Sequence, residues 1–179
     1  SHLSILQIFA EAVLDRFRLF ETLEIPREKF RRLMRAVGDA YNSNLYHCIL
    51  HGCDVLHAMQ VMIFETGIHR TFPPEEVLAY LLCGPLHDVG HPGVSGPTAQ
   101  RCVDGVFDGM EKDDAMMERY HSNLALELIN FDGLDIISHL PKAKQDRVKK
   151  LIRSIIMHTC IHGHDDLVDL LKTRPVLNF

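Results

Sequence analysis

Long apolar runs are absent from this 179-residue sequence. No stretch approaches the ~18 consecutive apolar residues that a membrane-spanning helix needs, so we expect no membrane segment in this chain. A basic excess is also missing, because 19 Lys and Arg are outnumbered by 24 Asp and Glu, which gives a formal charge of −5. Nucleic-acid-binding domains usually carry a basic face, so this charge argues against a nucleic-acid partner.

The sequence also lacks C-x-x-C cysteine pairs and a recognisable secretory segment. An odd number of cysteines in that setting predicts reduced thiols and a cytoplasmic protein. Membrane tethering through segments outside this chain is left open. The five cysteines are Cys48, Cys53, Cys83, Cys102 and Cys160.

Strand pairs with hairpin turns and internal repeats are missing as well, and apolar residues recur instead at helical spacing. The composition, 46% hydrophobic and 24% charged, is that of a globular domain. We therefore predict an all-α fold, a compact bundle of seven to nine helices with mean lengths near ~11–12 residues. Helices are predicted over 5–23, from Pro26, across His47 to Asp54 after a cap at 42–44, from Pro73-Pro74, and over 114–131, 142–158 and 165–172, with a loop at 92–97.

Two histidine-containing segments carry the chemistry. Leu-His-Asp-Val-Gly-His-Pro-Gly at 86–93 ends an apolar run, which brings His87, Asp88 and His91 against a buried helix. Ionisable groups are costly to bury unless they are paired or bind a metal. In the second segment, His47 and His51 are four residues apart and Asp54 follows three later, so on a helix they share one face.

Each segment by itself has an ordinary explanation. Histidines at helical spacing often cap a helix or cover a surface, and a His-Asp dipeptide arises by chance. Together, the two segments offer three or four nitrogen and oxygen ligands, which is the inventory of a hydrolytic metal centre.

The two segments resemble the catalytic domain of the class I cyclic nucleotide phosphodiesterases. More broadly they are similar to the HD-type metal phosphohydrolases, whose signature is His, then His-Asp, then a distant Asp. Glu-x-x-His-x-x-Leu-Ala at 118–125 and a weaker segment at 155–164 are similar to later parts of the same family, in the same order. The resemblance runs from about residue 41 to 172.

This resemblance implies hydrolysis of a 3′,5′-cyclic nucleotide, cAMP or cGMP, to the 5′-monophosphate. His51, His87 and Asp88 would bind zinc, and Asp88 would bridge to magnesium or manganese. A hydroxide bridging the two ions would attack the phosphorus. His47 would protonate the departing 3′ oxygen as general acid.

Supporting residues are expected around the ions. Glu118 would orient the general acid, and His91 and His121 would support the metal water shell. Neighbours of this kind orient metal ligands and affect metal affinity. The four supporting positions are Asp54, His91, Glu118 and His121.

The chain departs from the family pattern beside these residues. Cys48 and Gly96 stand where the family usually has Asn, Gly90 and Cys160 where it has Asp, and Tyr120 where it has His. None of these changes removes a ligand of the matched set. All of them alter what surrounds the ligands.

Residues 1–179 are expected to form the N-terminal and middle part of such a catalytic domain. The family's last metal-binding Asp, its purine-gripping Gln and its aromatic clamp match no position here. A homodimer and regulatory domains outside the chain are left open.

Three functions are therefore open from the sequence: a cyclic nucleotide phosphodiesterase, another HD-type phosphohydrolase acting on nucleotide mono- or triphosphates, and a catalytically weak helical module that binds nucleotides or proteins. A panel of substrates would separate the first two functions. Binding without turnover would support the third.

Overall fold

The computed structural model describes residues 4–102, 105 and 107–173. This described part is all-α and contains nine α-helices and two short 3₁₀ turns, which confirms the predicted fold class. The helices are α1 (Ile5–Arg16), α2 (Leu19–Thr22), α3 (Arg27–Ala40), α4 (Ile49–Glu65), α5 (Pro74–Leu86), α6 (Gly96–Cys102), α7 (Met116–Asn130), α8 (Lys142–Met157) and α9 (His164–Thr173).

The predicted single helix over 5–23 is wrong, because it is split into α1 and α2. The first begins with a capping box, in which Ser4 and Gln7 bind each other's backbone amides. The break lies at Arg18, whose backbone is left-handed with a φ of 55°. The chain changes direction at this residue, and both Leu19 and Phe20 are buried.

The helix predicted to carry His47 begins later than expected, at Ile49 in α4. Residues 42–44 were expected to cap it, but its N-cap is Cys48 and makes no side-chain hydrogen bond. His47 therefore lies in the segment before the helix. His51 is the third residue of the helix, so the prediction that these two histidines share a helical face is wrong.

The centre of the core is α5, which begins at Pro74 as predicted and packs between α4 and α8. Ten of its residues are buried, from Glu75 to Leu86. Its crossing with α4 is very close, since a Cβ built on Gly84 would lie 2.7 Å from Cα of Leu56. The absence of a side chain at Gly84 thus lets two helix backbones touch.

The remaining helices follow the sequence closely, with α7, α8 and α9 within two residues of their predicted ends. The exception is the predicted loop at 92–97, because Gly96 and Pro97 already belong to α6. Proline fits the first turn of a helix, where its missing N–H has no intrahelical partner anyway.

The basic side of α8 is tied to the acidic start of α5. Lys144 binds Glu75 at 3.3 Å, and Arg147 binds Glu76. Cations near the first turn of α5 thus neutralise two carboxylates that favour that helix end. Among the described helices, none is long and apolar enough to cross a bilayer.

Candidate metal centre

Three predicted metal ligands converge where α4 crosses the end of α5. Nε2 of His51 and Nε2 of His87 are 3.2 Å apart. Oδ2 of Asp88 lies 3.4 Å from the first nitrogen and 3.3 Å from the second. The three atoms form a nearly equilateral triangle, and all three side chains are largely buried.

The size of this triangle fits a metal ion. Tetrahedral zinc with nitrogen and oxygen ligands at about 2.0–2.1 Å places those ligand atoms about 3.3–3.4 Å from one another. The observed separations are 3.2, 3.3 and 3.4 Å. Two imidazoles and a carboxylate are also a donor set that suits zinc. The residues present therefore fit a divalent ion without rearrangement.

The His87 ring is oriented by its own helix. Its Nδ1 donates to the carbonyl oxygen of Gly84 at 2.8 Å, so in the neutral ring Nε2, the nitrogen beside Asp88, is the one able to bind a metal. Burial tends to lower the pKa of His87, but hydrogen bonding to Asp88 outweighs it and raises that pKa. Burial lowers the pKa of His51, with the nearby His87 acting in the same direction, so this imidazole favours its neutral, ligating form.

The Asp88 carboxylate is the charged centre of the site. Burial would raise its pKa, but hydrogen bonds from His87 and His47 lower it well below the ordinary 3.8. The group is therefore ionised at neutral pH. It can act as an anionic ligand and as a hydrogen-bond acceptor.

His47 contacts the same carboxylate from outside the helix. Its Nδ1 lies 2.9 Å from Oδ2 of Asp88, and with His51 the three residues form a group that could hold an ion. The Tyr46 ring packs edge-on against His47, and its centroid is 4.6 Å from that of His51. Because Nδ1 is paired, Nε2 of His47 is the atom left for a substrate.

His91 and His121 continue from His47 as a stack of rings. The His47 and His91 ring centroids are 3.8 Å apart with the planes tilted by only 10°, and His121 lies 5.3 Å beyond. Burial, followed by the neighbouring His47 and His121, lowers the pKa of His91 to about 4. Burial also lowers the pKa of His121. Both rings are neutral at neutral pH.

The hydrogen bonds of these two rings fix their tautomers. Nδ1 of His91 accepts from the amide of Gly93 at 3.0 Å, so the ring proton is on Nε2. Nδ1 of His121 donates to the carbonyl oxygen of Val89 at 2.8 Å, so its Nε2 is an acceptor. That Nε2 is buried without a hydrogen-bond partner in the described structure. His91 thus presents a hydrogen-bond donor at Nε2, and His121 presents an acceptor at its Nε2.

Two asparagines that sequence reasoning assigned to a helix cap belong to this site instead. Nδ2 of Asn42 and Nδ2 of Asn44 donate to the carbonyl oxygen of His91, at 2.9 and 2.8 Å. Asn44 also donates to the carbonyl of His47 at 2.9 Å. It therefore clamps the two histidine segments together. No local pattern distinguishes this role from capping, since Asn suits both.

The other two predicted supporting residues, Glu118 and Asp54, lie in different places relative to the site. Glu118, near the start of α7, lines the same cavity as the histidines. Asp54 is exposed on α4 and lies outside the residues that line the cavity. Its carboxylate acts on His51 only weakly and through electrostatics. The structure therefore brings together every predicted site residue except Asp54.

These side chains surround one cavity of about 660 Å³. Part of its lining carries the histidines and Asp88, and another part is apolar. A ligand with a charged end and a flat apolar end would meet matching surfaces there. The apolar wall includes Val55, Met59, Ile155 and Ile161.

Fold and site together define a helical domain with a His-His-Asp cluster whose geometry suits a divalent ion. The family model for 3′5′-cyclic nucleotide phosphodiesterase matches residues 46–176. Because that match covers well over half of the chain, the chain belongs to the 3′5′-cyclic nucleotide phosphodiesterase family.

Two curated relatives are named as cyclic-AMP phosphodiesterases. The probable 3′,5′-cyclic-AMP phosphodiesterase pde-4 of Caenorhabditis elegans is 26% identical over 94% of this chain and 25% of its own length. Isoform F of the Drosophila melanogaster 3′,5′-cyclic-AMP phosphodiesterase is 30% identical over 87% of this chain and 23% of its own length. The chain thus spans about a quarter of these relatives.

A solved structure supports the fold. The phosphodiesterase domain of the RhoPDE fusion protein from the choanoflagellate Salpingoeca rosetta superposes with a TM-score of 0.84 at 22% identity. The match covers 93% of this chain and 52% of that chain. The described helices therefore correspond in fold to about half of that solved domain.

Proposed function

We propose that this chain carries the metal-binding part of a catalytic site that hydrolyses 3′,5′-cyclic nucleotides to 5′-monophosphates. The observation that carries the proposal is the triangle of His51, His87 and Asp88, whose 3.2–3.4 Å sides match a tetrahedral metal site. Membership of the phosphodiesterase family gives the reaction class. We propose both cAMP and cGMP as substrates to test.

The metals follow from the donor set. Zinc would be held by His51, His87 and Asp88, and the second oxygen of Asp88 would reach magnesium or manganese, which prefer oxygen ligands. Such ions, when bound, lower the pKa of water to supply a hydroxide nucleophile and neutralise charge on the phosphate.

We assign the general acid role to His47. Its Nδ1 donates to Asp88, which leaves Nε2 as the ring nitrogen that can give a proton to a leaving oxygen. The stacked His91 packs against the face of this ring. The geometry thus restricts His47 to one orientation and one free nitrogen.

His91 and His121 are proposed to hold water beside the ions. Nε2–H of His91 can donate to a water molecule, and the buried Nε2 of His121 can accept from one. Glu118 lines the same cavity and offers a carboxylate that can orient His47 through a short rearrangement or a water molecule. Asp54 is proposed only to adjust the field at His51.

The wider setting is proposed on the same basis. Residues 1–179 would be one part of a longer catalytic domain, in a cytoplasmic protein that could dimerise and carry regulatory domains. The further metal-binding Asp and the purine-binding residues would then come from outside the matched segments.

The decisive experiment measures zinc bound by the purified chain, together with hydrolysis of cAMP and cGMP in magnesium. His87→Ala should lose zinc and any turnover. His158→Ala is the matched control, because this histidine is exposed and bonds only within its own helix. Zinc binding with turnover of nucleotide mono- or triphosphates instead would favour another HD-type reaction. An absence of zinc from the wild-type chain would refute the metal centre.

A further inference from the structure

The end of α5 leaves carbonyl groups that the helix itself cannot satisfy. The last four C=O groups of any α-helix lack the usual intrahelical donor. Here the Gly84 carbonyl is taken by Nδ1 of His87 at 2.8 Å. The Pro85 carbonyl is taken by the hydroxyl of Tyr41 at 3.0 Å. Side chains therefore satisfy two of the last four carbonyls, while the backbone amides of His87 and Val89 bind the other two.

Tyr41 comes from a distant part of the chain, at the C-cap of α3. Its ring is inserted beside the crossing of α4 and α5. A Cβ built on Gly52 would lie only 2.9 Å from the hydroxyl oxygen and 3.4 Å from Cα of Pro85. The missing side chain at Gly52, directly after His51, therefore makes room for this hydroxyl between the two helices that carry ligands.

The hydroxyl stays a donor in this position. Burial raises the pKa of Tyr41 far above its ordinary value, and the Asp88 charge acts in the same direction. Tyr41 therefore donates to the Pro85 carbonyl, two residues before His87.

We propose that Tyr41 is a positioning residue for the metal centre. By binding the Pro85 carbonyl, its hydroxyl fixes the last turn of α5, from which His87 and Asp88 project toward His51. This inference rests on the metal-binding part of the proposed function and not on the identity of the substrate. Residues that orient metal ligands typically change metal affinity by about 10–100-fold when removed.

The test is Tyr41→Phe, which keeps the ring and removes the hydroxyl. Zinc affinity is measured by competition with a chromophoric chelator. We expect a loss of about tenfold or more. Tyr80→Phe is the matched control, because the Tyr80 hydroxyl contacts only the Met62 sulfur, at 3.8 Å and away from the site. This control should keep the wild-type zinc affinity.

A purely structural role would lower thermal stability and leave zinc affinity unchanged in the folded variant. Melting without zinc is therefore recorded for each protein, and Gly52→Ala provides a second perturbation that keeps the hydroxyl but displaces it. Wild-type zinc affinity in folded Tyr41→Phe or in folded Gly52→Ala would overturn the proposal.

The outcomes for the two proposals are distinguishable. Weakened zinc binding in Tyr41→Phe, with no cyclic nucleotide turnover by any form, would support the positioning role and contradict the proposed reaction. Failure of the wild-type chain to bind zinc would overturn both.

Discussion

His51 and His87 place their Nε2 atoms 3.2 Å apart although 36 positions separate them in the chain. The cause is the backbone contact between α4 and α5, where Gly84 lies against the backbone of Leu56. His51 precedes Leu56 by five residues and His87 follows Gly84 by three, so both lie within about a turn and a half of this contact. The ligand separation is therefore set by how closely two helices approach.

Gly84→Ala should disrupt the metal centre from outside the ligand set. Its Cβ would meet three Leu56 atoms, two of them backbone, at 2.7–2.8 Å, so the helices must move apart. We expect a loss of unfolding free energy of about 1–3 kcal/mol, as for other overpacked sites, and at least a tenfold loss of zinc affinity. Urea unfolding and chelator competition measure the two effects.

The control for this substitution is Gly163→Ala, since a Cβ at Gly163 would meet no atom within 4 Å. It should change stability by no more than about 0.5 kcal/mol and leave zinc binding intact. If Gly84→Ala behaved in the same way as this control, the close crossing would not set the ligand separation.

Substitutions at Gly90 and Gly109 separate two free-energy costs. One is the cost of a steric contact with neighbouring side chains, and the other is the cost of a left-handed backbone at a residue that carries a Cβ. The φ angles of the two glycines are nearly equal, at 77° and 76°. A Cβ at Gly90 would lie 2.6 Å from Leu124 and 2.8 Å from the Tyr120 hydroxyl, whereas one at Gly109 would lie in open space. The Gly90 and Tyr120 departures from the family pattern therefore face each other.

Gly109→Ala should cost about 1–2 kcal/mol, the penalty for a left-handed L-residue. Gly90→Ala should cost about 1–3 kcal/mol more, because it also overpacks the site. Urea titration of both variants gives the difference. Equal losses would show that Tyr120 and Leu124 yield freely to a side chain at position 90.

His91 should remain neutral well below the ordinary histidine range. Its pKa falls to about 4, chiefly through burial. The unfolded chain keeps a pKa near 6.5, so between these two values it binds a proton that the native state does not. This group therefore contributes a loss of stability as the pH falls from about 6.5 toward 4.

NMR titration of the zinc-free protein tests this directly. The imidazole signals of His91 should shift near pH 4. A His91 midpoint in the ordinary range would mean that its ring is not enclosed as the structure has it.

Glu11 links α1 to α3 through Arg31 and Arg27, with oxygen–nitrogen distances of 2.8 and 3.3 Å. The Arg31 hydrogen bond, and then the other arginine contacts, lower the pKa of Glu11 below 4.5 against the opposing effect of burial. A depressed carboxylate pKa stabilises the fold above the unfolded-state pKa, and that stability is lost as the pH falls through the folded-state value.

Glu11→Gln should thus lose about 1 kcal/mol at neutral pH, as is usual for a partly exposed ion pair. The loss should shrink as the pH falls below 4.5. Urea titrations across this range measure it, with Glu65→Gln as the comparison because its contact is 4.0 Å long and exposed. A pH-independent loss would argue against the ion pairs as its cause.

Most helices could be predicted from the sequence, because apolar spacing and prolines at helix starts are local signals. The start of α5 at Pro74 and the bounds of α8 were predicted in this way. The helix break at Arg18 and the helix start after Cys48 were not predicted. In both places the chain changes direction to satisfy distant packing, which a local pattern does not encode.

The residue types of the site could also be predicted, because they too appear in short local segments of the sequence. Two imidazoles and a carboxylate placed beside an apolar helix are chemically unusual, and their order matched a known family. The roles of Tyr41, Asn42 and Asn44 could not be read, because each acts on a backbone carbonyl more than 40 positions away.

The sequence by itself determined the all-α class, the residue types of the candidate site and the family. Only the tertiary structure decided that His47 stands outside the helix of His51, that Asp54 faces away from the cavity, and that the ligand atoms lie 3.2–3.4 Å apart. The physical reason is that helix spacing orders residues only along one helix. Distances between helices depend on backbone contacts such as that of Gly84 with Leu56.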